Sequence, residues 1–446
     1  MSIARLASLL CIPAVIAALT ATDAWAEPQV LFDFEGDFAL EKRTESHGGK
    51  ASLVERDGNT ALRIEVTADQ SWPGVRLLPP EGKWDLSACD RVELEITNVG
   101  DAKARVLCRV DNPGADGRRH CNTDGGGLEA GQTKTFQVVF GKSWGGAGFA
   151  IDQSNIVGLL IFVDRPKQAH ALTVDNVRAA GEILVLPDWI GARPPVPGDW
   201  EQTLSEEFDG DELDPELWNT RLVWDGPLKS ALQAYSAQNI MVEDGALKIK
   251  VEKRHTHQFD EPDLPSREYA SAIITTFDKW AQKHGYFEAR IKLTRARGTW
   301  PAFWMMPDRG PEGGDVWQRR STHNGGMEID IMEYLAEWGP GRYNVAAHWD
   351  GYEKQHQRWG NSKLTYSRTA DDFHVFGMLW EEGKLTFFCD GEEKASWENE
   401  RVASVPVYLK LCVQMGGWAT KNVDDASLPD SMVVDYVRAW QRAAPE

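Results

Sequence analysis

The sequence predicts an all-β protein built of two sandwich domains. Short runs of alternating apolar and polar residues recur along the chain, turn residues separate them, and no helical periodicity persists. A length of 446 residues suits two domains better than one. A proline-rich stretch divides the runs into two groups. We therefore expect a smaller β-sandwich over residues 27–185, a linker over residues 186–200 and a larger β-sandwich over residues 201–446.

Residues 1–26 have the pattern of a secretory signal peptide. Arg5 supplies a positive charge, residues 6–19 are apolar, and Ala24-Trp25-Ala26 forms a small-x-small cleavage site before Glu27. No other stretch is apolar for long enough to cross a bilayer. We expect a secreted or periplasmic protein without a membrane span.

The composition limits the class of partner. A formal net charge of −20 argues against nucleic acid and anionic membranes. It does not exclude an anionic substrate, because local basic patches can override the mean. The 19 Trp residues offer flat faces for sugar rings, or alternatively pack in the core. We expect a monomer that acts on a polysaccharide. Cys108 and Cys121 flank a Gly/Asp-rich turn, so either a disulfide closes this hairpin or both thiols stay free.

Each predicted element follows from its local pattern. The linker holds four Pro and two Gly among hydrophobic anchors, which predicts a semi-rigid connector. The strand-like runs of the first domain are VLFDFEG, TALRIEVTA, RVELEITNVG, ARVLCRV, KTFQVVFG, VGLLIFV and LTVDNVRAAG. Those of the second domain are GALKIKVEK, YASAIITTF, GYFEARIKL, MEIDIMEYL, YNVAAHW, FHVFGMLW, KLTFFCDG, VYLKLCVQM and MVVDYVRAW.

One strand of the second domain, MEIDIMEYLAE at residues 327–337, carries Glu328, Asp330 and Glu333. In a regular strand Glu333 would face away from the other two acids. A β-bulge near residues 331–332 would return Glu333 to their face. Two Glu side chains leaning over the central Asp could then bring their carboxyls to about 5–5.5 Å, the separation that a retaining glycosidase needs. Two other interpretations of these three acids remain: they could form a solvated strand face or a calcium site.

Residues 200–442 resemble glycoside hydrolase family 16 in its E-x-D-x-x-E form, as laminarinases and agarases have it. The opening strand LSEEFDGDELDPELWN, the core strands YASAIITT and HGYFEARIKL, and the groove segment GTWPAFWMMPD are similar to the family. The last strands, FHVFGMLWEEGKLTFFCDG, YLKLCVQMGGWA and MVVDYVRAWQ, match it in order and spacing.

The resemblance implies a β-jelly roll, a concanavalin A-like sandwich whose concave sheet forms an open cleft. It implies that Glu328 is the nucleophile, that Glu333 is the general acid/base and that Asp330 tunes the ionisation of the nucleophile. No cofactor is expected for catalysis.

Substrate-binding candidates also follow from the resemblance. It implies that His348 lies near the general acid/base, the alternative being a core histidine. Trp300 and Trp304 are candidates for sugar stacking, and because they lie four apart on a strand they share a face. Trp349 and Trp418 are further candidates for substrate contact.

The sequence departs from β-1,3-glucanases at an insertion-like stretch, residues 309–326, and at a charged aromatic loop, residues 349–360. Guanidinium and ammonium groups in these stretches could contact sulfate groups of a red-algal galactan, or could be solvated loop charges. The groups are Arg319, Arg320, Lys354 and Arg358.

The first domain resembles carbohydrate-binding-module jelly rolls. In such modules, acidic residues at the first and last strands often share a structural calcium, which here implies Glu35 and Asp175 as ligands. The alternative is ordinary polarity of edge strands.

We therefore expect a secreted, retaining endo-glycoside hydrolase that cleaves internal β-linkages of a polysaccharide, with a laminarin-type β-1,3-glucan preferred. The alternatives are hydrolysis of an agar-, porphyran- or carrageenan-type galactan, transglycosylation, and glycan binding without catalysis.

Overall fold

A computed structural model describes residues 29–443 of the chain, apart from residues 57, 182, 224–229 and 370–371. The predicted signal peptide lies outside the described residues. Strands dominate throughout, which confirms the predicted all-β class. Within the described part of the chain, no helix is long and apolar enough to span a membrane.

The first half of the chain forms a sandwich of two antiparallel sheets. One sheet has the order β3-β4-β13-β6-β9, with β1 paired to β13, and the other has the order β2-β5-β12-β7-β8. The strands of the first sheet are β1 (Gln29–Phe32), β3 (Gly49–Arg56), β4 (Asn59–Val66), β6 (Arg91–Asn98), β9 (Thr133–Val139) and β13 (His170–Ala180). Those of the second sheet are β2 (Thr44–His47), β5 (Gly74–Leu77), β7 (Ala104–Asp111), β8 (Cys121–Leu128) and β12 (Gly158–Val163). A short hairpin, β10 (Lys142–Ser143) and β11 (Gly146–Ala147), the helix α1 (Leu40–Arg43) and a 3-10 turn (Gln153–Asn155) complete this half.

Cys108 and Cys121 are both free thiols, so the hairpin-closing disulfide is not formed. Their strands pair as expected for a hairpin, but Cys108 lies opposite Asp124 and Cys121 lies opposite Asp111. The two cysteines are therefore offset along the ladder rather than opposed.

The linker packs against the second half of the chain. The Arg438 guanidinium donates a hydrogen bond of 2.9 Å to the Gly191 carbonyl. Val196 and Trp200 pack on a cluster that includes the buried residues Tyr286 and Trp440. The proline-rich segment is thus seated on the outer face of the second sandwich.

The second half forms a larger sandwich. Its first sheet has the order β16-β17-β31-β22-β27-β28-β29, with β14 on β31, and its second has the order β21-β30-β23-β24-β25-β26. The strands of the first sheet are β14 (Trp200–Glu206), β16 (Ile240–Glu243), β17 (Ala246–Val251), β22 (Gly285–Lys292), β27 (Phe373–Glu381), β28 (Lys384–Cys389), β29 (Glu392–Glu398) and β31 (Asp430–Arg442). Those of the second sheet are β21 (Ile273–Thr275), β23 (Thr299–Pro307), β24 (Glu328–Glu333), β25 (Arg342–Trp349), β26 (Gln357–Thr365) and β30 (Val407–Met415).

Smaller elements decorate this sandwich. β15 (Gln233–Tyr235) pairs with β20 (Tyr269–Ser271), and β18 (Thr256–His257) pairs with β19 (Ser266–Arg267). The helix α2 is Val316–Arg319, and 3-10 turns lie at Ala237–Asn239, Gln258–Asp260, Pro311–Gly313, Ala336–Trp338 and Asp425–Ser427.

Strand alternation in the six-stranded sheet separates core from cleft. Phe303, Ile329 and Val345 belong to the main buried apolar cluster between the sheets. Their neighbours in sequence face the opposite side, because successive side chains in a strand alternate. That outer face carries Glu328 and the other candidate residues.

Candidate active site

Strand β24 contains the predicted bulge. Asp330 pairs with Trp304 on β23, whereas Glu333 pairs with Ala302, so three steps on β24 match two on β23. The pairing with β25 shifts at the same place, between Asp330 and Glu333. The extra residue returns Glu333 to the face of Glu328 and Asp330, and the three carboxyls line one wall.

Glu333 is buried and has two hydrogen-bond donors. The Trp300 indole N–H donates to Oε1 at 3.0 Å, and the Asn344 amide donates to Oε2 at 2.6 Å. Burial raises the pKa of Glu333 to about 7; the Asn344 and Trp300 hydrogen bonds oppose this rise, and the charge of Glu328 adds to it. A carboxyl with this pKa is protonated often enough near neutrality to act as a general acid.

Glu328 has a different environment. The Tyr352 hydroxyl donates to Glu328 Oε2 at 2.5 Å. Burial raises the pKa of Glu328, while the Tyr352 hydrogen bond and the positive charges of Lys410 and Arg320 act in the opposite direction. These three groups favour the ionised form, which a nucleophile requires.

Asp330 lies between the two Glu residues and beside His348. Burial raises the pKa of Asp330 well above its usual range, and the charges of Glu333 and Glu328 add to the effect. The His348 Nε2 atom is 3.5 Å from Asp330 Oδ2, and His348 Nδ1 is 2.9 Å from His356 Nε2. Burial lowers the pKa of His348 to about 4, with the charges of His356 and Arg358 adding to it, so His348 is neutral at pH 7.

The position of His348 corrects one prediction. In the strand register it lies opposite Glu328, whereas the residue opposite Glu333 is Asn344. His348 therefore contacts the central Asp and adjoins the nucleophile candidate, not the acid/base candidate.

Trp300 and Trp418 lie together at the Glu333 end of the cleft. Their ring centroids are 5.7 Å apart in an edge-on arrangement, and Trp418 makes a similar contact of 5.3 Å with Trp338. Trp418 is 45% exposed, so its ring is open to a ligand. Gly417 has a φ of +68°, and a Cβ there would lie 3.1 Å from the Trp300 ring, so this close approach requires glycine.

Trp304 shares the face of Trp300, as the spacing predicts, but its ring covers a buried cation. The Lys410 ammonium lies 3.4 Å from the Trp304 ring centroid. Burial lowers the pKa of Lys410 to about 7, reinforced by Arg320 and opposed by Cys412, Glu328 and Asp330. Trp304 is partly buried, which leaves part of its ring to line the cleft.

Trp349 does not face the cleft, so its prediction as a substrate contact is wrong for this site. It packs against the main core and stacks on Trp397 at 5.2 Å. Trp349 directly follows His348, and alternation along β25 sends the two side chains to opposite faces.

The two unusual stretches of the sequence form one wall beside Glu328. Arg401 joins them, because one guanidinium nitrogen donates to the carbonyls of Thr322 and Gly326 and to the carboxylate of Asp350. These hydrogen bonds from Arg401 anchor the loop of residues 349–360, whose Tyr352 donates a hydrogen bond to Glu328.

The cationic candidates for sulfate recognition divide into two groups. Arg319 pairs with Asp278 at 2.7 Å and with Asp308 at 2.9 Å, and Arg320 is buried and donates to the Tyr408 hydroxyl. These two therefore serve the fold of the insertion. Lys354 and Arg358 are exposed.

Tyr352, Asn344 and Lys410 are functional candidates that the sequence reasoning missed. Asn344 lies four residues before His348, so strand alternation would have placed it on the same face. Lys410 stands out as a lone cation in the apolar run VYLKLCVQM. No local signal points to Tyr352, because its contact depends on the path of the loop.

Two clusters among the described residues combine ligand types that suit a metal, and the ligand atoms in each lie within 4.8 Å of one another. They are Glu328, Asp330 and His348 in the cleft, and His374, Cys389 and Asp390 elsewhere in the same sandwich. In the first sandwich, Glu35 accepts a hydrogen bond from the Thr60 backbone and Asp175 accepts one from Asn59. The calcium site at Glu35 and Asp175 fits in donor chemistry, since both supply carboxylate oxygens beside the same strand, and it stays a prediction.

Comparisons with known proteins identify the family to which the second half of the chain is similar. Residues 200–442 match the family model described as "Beta-porphyranase A-D, GH16 domain". A beta-glucanase of Rhodothermus marinus is 34% identical over 261 residues, which cover 54% of this chain and 85% of that relative. Glucan endo-1,3-beta-glucosidase A1 of Niallia circulans is 30% identical over 265 residues, covering 53% of this chain and 37% of the relative. The laminarinase catalytic domain from Thermotoga petrophila RKU-1 is 27% identical, with a TM-score of 0.46, covering 56% of this chain and all of that domain.

Proposed function

The chain belongs to glycoside hydrolase family 16 and is a glycosidase; from that premise we propose that it cleaves internal β-linkages with retention, with Glu328 as nucleophile and Glu333 as general acid/base. The observation that carries the proposal is the bulged strand β24, which turns Glu328, Asp330 and Glu333 to one face of the cleft.

The first chemical step uses both Glu residues. A Glu328 oxygen attacks the anomeric carbon, the bond from that carbon to the glycosidic oxygen breaks, and the proton of Glu333 passes to the leaving oxygen. The raised pKa of Glu333, caused mainly by burial, supports its role as the proton donor. The product of this step is a glycosyl-enzyme ester on Glu328.

The second step reverses the roles. Water attacks the anomeric carbon, ionised Glu333 accepts a proton from that water, and Glu328 leaves as a carboxylate. The two carboxyls thus supply the nucleophile and the proton, so the mechanism requires no cofactor.

Neighbouring groups keep the two carboxyls in different protonation states. The Tyr352 hydroxyl and the Lys410 and Arg320 charges favour ionised Glu328. The raised pKa of Asp330 favours its neutral acid form, which adds no negative charge between the two Glu residues. The Nε2 atom of neutral His348 lies 3.5 Å from an Asp330 carboxyl oxygen.

Substitution separates the two roles. We expect Glu333→Gln to lower kcat by about 10²–10⁴-fold, the usual contribution of a general acid. Glu328→Gln should remove turnover altogether, because no glycosyl-enzyme can form. Added azide should restore turnover in Glu328→Ala with an inverted glycosyl azide, and in Glu333→Ala with a retained one. Turnover that survives both Gln substitutions would contradict the assignment.

For the substrate, we propose a β-1,3-glucan of the laminarin type. The relatives from Rhodothermus marinus and Niallia circulans, both named as glucanases, support it. A red-algal galactan is a second candidate, supported by the porphyranase family model and by the exposed cations Lys354 and Arg358 beside the cleft.

One experiment distinguishes the candidates. The purified protein is incubated with laminarin, mixed-linkage glucan, agarose, porphyran and carrageenans, and the released oligosaccharides are identified by mass spectrometry. Proton NMR of the first products reads the anomeric configuration. Laminari-oligosaccharides with a β-reducing end support the glucan proposal, and release only from porphyran supports the galactan. Products longer than the substrate would indicate transglycosylation.

We also propose that the protein is exported and acts as a monomer. The signal-peptide pattern of residues 1–26 supports export. Intact-mass measurement of the protein released from cells should give a chain that begins at Glu27, and light scattering should give the mass of one chain.

A further inference from the structure

Two tryptophans of the first sandwich are largely exposed on the same side of the sheet β2-β5-β12-β7-β8. Trp72 precedes β5 and is 52% exposed, and Trp144 lies in the turn of the β10–β11 hairpin and is 56% exposed. The Trp144 amide donates a 3.0 Å hydrogen bond to the carbonyl of Thr123 on β8, which ties the turn to the sheet edge. Exposed apolar surface that polar residues border is typical of interaction sites.

One ion pair connects the two rings across the sheet. The Trp72 indole donates to Asp164 at 3.2 Å, and the Arg105 guanidinium lies 3.5 Å from the same carboxylate. The other side of the Arg105 guanidinium lies 5.9 Å from the Trp144 ring centroid. The order of groups across the surface is therefore Trp72, Asp164, Arg105 and Trp144. Two hydrogen-bonding side chains lie between two aromatic rings.

The sheet between the rings carries apolar residues and glycines. The apolar residues Leu107 and Phe162 lie on the outer face opposite each other and are buried by their neighbours. Gly125 lies opposite Leu107 and Gly74 lies opposite Phe162 on the flanking strands. A Cβ at Gly125 or Gly74 would come within 2.2 Å or 2.1 Å of a backbone oxygen, so these positions are held as glycine.

The surface also leads toward the catalytic sandwich. Trp144 lies on the rim of a groove of about 1290 Å³ between the two sandwiches. Ala336, Gly339 and Pro340, which follow Glu333 in the chain, line the opposite wall. A polymer bound across the Trp144 ring would therefore pass close to the end of the catalytic cleft.

From these observations we propose that the outer face of the sheet β2-β5-β12-β7-β8 is a second polysaccharide-binding site, with Trp72 and Trp144 as stacking platforms and the Arg105–Asp164 pair as the polar contact. Flat indole faces stack on sugar rings, and the guanidinium and carboxylate supply a donor and an acceptor for hydroxyl groups. The ligand is the β-linked polymer that the cleft cleaves, so its identity, though not the site, rests on the proposed function.

The test uses the full chain carrying Glu328→Gln, so that the polymer stays intact. Native gel electrophoresis is run with and without laminarin, mixed-linkage glucan, agarose, porphyran or carrageenan in the gel, beside a non-binding reference protein. The variants are Trp72→Ala, Trp144→Ala, the double variant and Trp144→Tyr. Val30→Ala, an exposed apolar residue on the other sheet of the same sandwich, is the matched control. Thermal unfolding of each variant monitors the fold.

We expect the parent protein to be retarded by the polymer that the wild-type chain cleaves. Each single Ala variant should bind about tenfold more weakly, as the loss of one central aromatic contact typically causes. The double variant should be retarded clearly less than either single variant, with only the retardation that the catalytic cleft causes remaining, while Trp144→Tyr and Val30→Ala should be retarded like the parent or nearly so.

Retardation of the folded double variant equal to that of the parent would overturn the proposal, and so would a parent that no polymer retards. Failure of the proposed function would give a different result. The wild-type chain would then release no oligosaccharide from any of these polymers. Cleavage of a polymer whose retardation is insensitive to Trp72 and Trp144 would refute the second site alone.

Discussion

Glu333 and its two donors show how single residues set the proton chemistry. Both hydrogen bonds, from Trp300 and Asn344, favour the ionised carboxylate and so limit the rise in pKa that burial causes. The alkaline limb of kcat/KM should therefore fall as the pH rises through about 7, when Glu333 loses the proton that it must donate.

Removal of one donor should shift this limb. In Asn344→Ala the ionised form loses a hydrogen bond, so the pKa of Glu333 rises, and we expect the alkaline limb to move up by about one pH unit. Trp300→Phe removes the other donor and should shift the limb in the same direction. The measurement is kcat/KM between pH 5 and pH 9 on a soluble substrate. A limb that stays in place in both variants would show that Glu333 does not control it.

Tyr352 should control the opposite limb. Its hydroxyl donates to Glu328 and lowers the pKa of that carboxyl relative to burial alone. In Tyr352→Phe the pKa of Glu328 should rise, so the acid limb of kcat/KM should move to higher pH while the alkaline limb stays in place. A uniform loss of rate at every pH would instead indicate that Tyr352 acts only in substrate binding.

At the scale of one element, the bulge in β24 accommodates one extra residue between Asp330 and Glu333. Deletion of Met332 would remove the need for the bulge, because regular alternation alone would then keep the Glu333 carboxyl on the face of Glu328 and Asp330. We expect the deletion variant to retain activity and to lose about 2–5 kcal/mol of stability, the usual cost of losing a buried Met side chain. Met332→Leu keeps the strand length and the bulge and should retain both activity and stability. Urea unfolding and activity assays compare the two, and a folded deletion variant without activity would show that alternation alone does not position Glu333.

Much of this element could be predicted from the sequence, because strand periodicity and three acids at fixed spacing leave few arrangements. The same periodicity, if applied to β25, would have excluded Trp349, whose side chain must oppose that of His348. The contact of Tyr352 with Glu328 could not be predicted, since it depends on how Arg401 holds two loops that are distant in sequence. Local patterns specify the face of a residue, whereas loop contacts depend on the whole fold.

At the scale of the whole molecule, the linker covers a buried acid on the sheet opposite the cleft. Glu288 on β22 accepts a hydrogen bond of 3.2 Å from the Tyr436 hydroxyl. Arg438, which acts on Glu288 electrostatically, also donates to the linker carbonyl of Gly191. The linker, the sheet and the acid therefore form one packed unit.

Burial raises the pKa of Glu288 from 4.5 to about 7, against the opposing effects of Tyr286, Tyr436 and Arg438. Because the folded state holds this proton more tightly than the unfolded chain, the stabilisation is complete below about pH 4.5 and is lost as the pH rises through about 7. The shift corresponds to about 3 kcal/mol of unfolding free energy between pH 5 and pH 8.

Glu288→Gln removes this titration while keeping the size and a hydrogen-bonding group. We expect its unfolding free energy, measured in urea, to change less between pH 5 and pH 8 than that of the wild type, by about 3 kcal/mol. Some decline should remain, because burial also raises the pKa of Glu328, Asp330 and Glu333. The exposed Glu201→Gln serves as the matched control and should keep the wild-type slope. If Glu288→Gln kept that slope as well, the acid beneath the linker would not be the group that weakens the fold at alkaline pH.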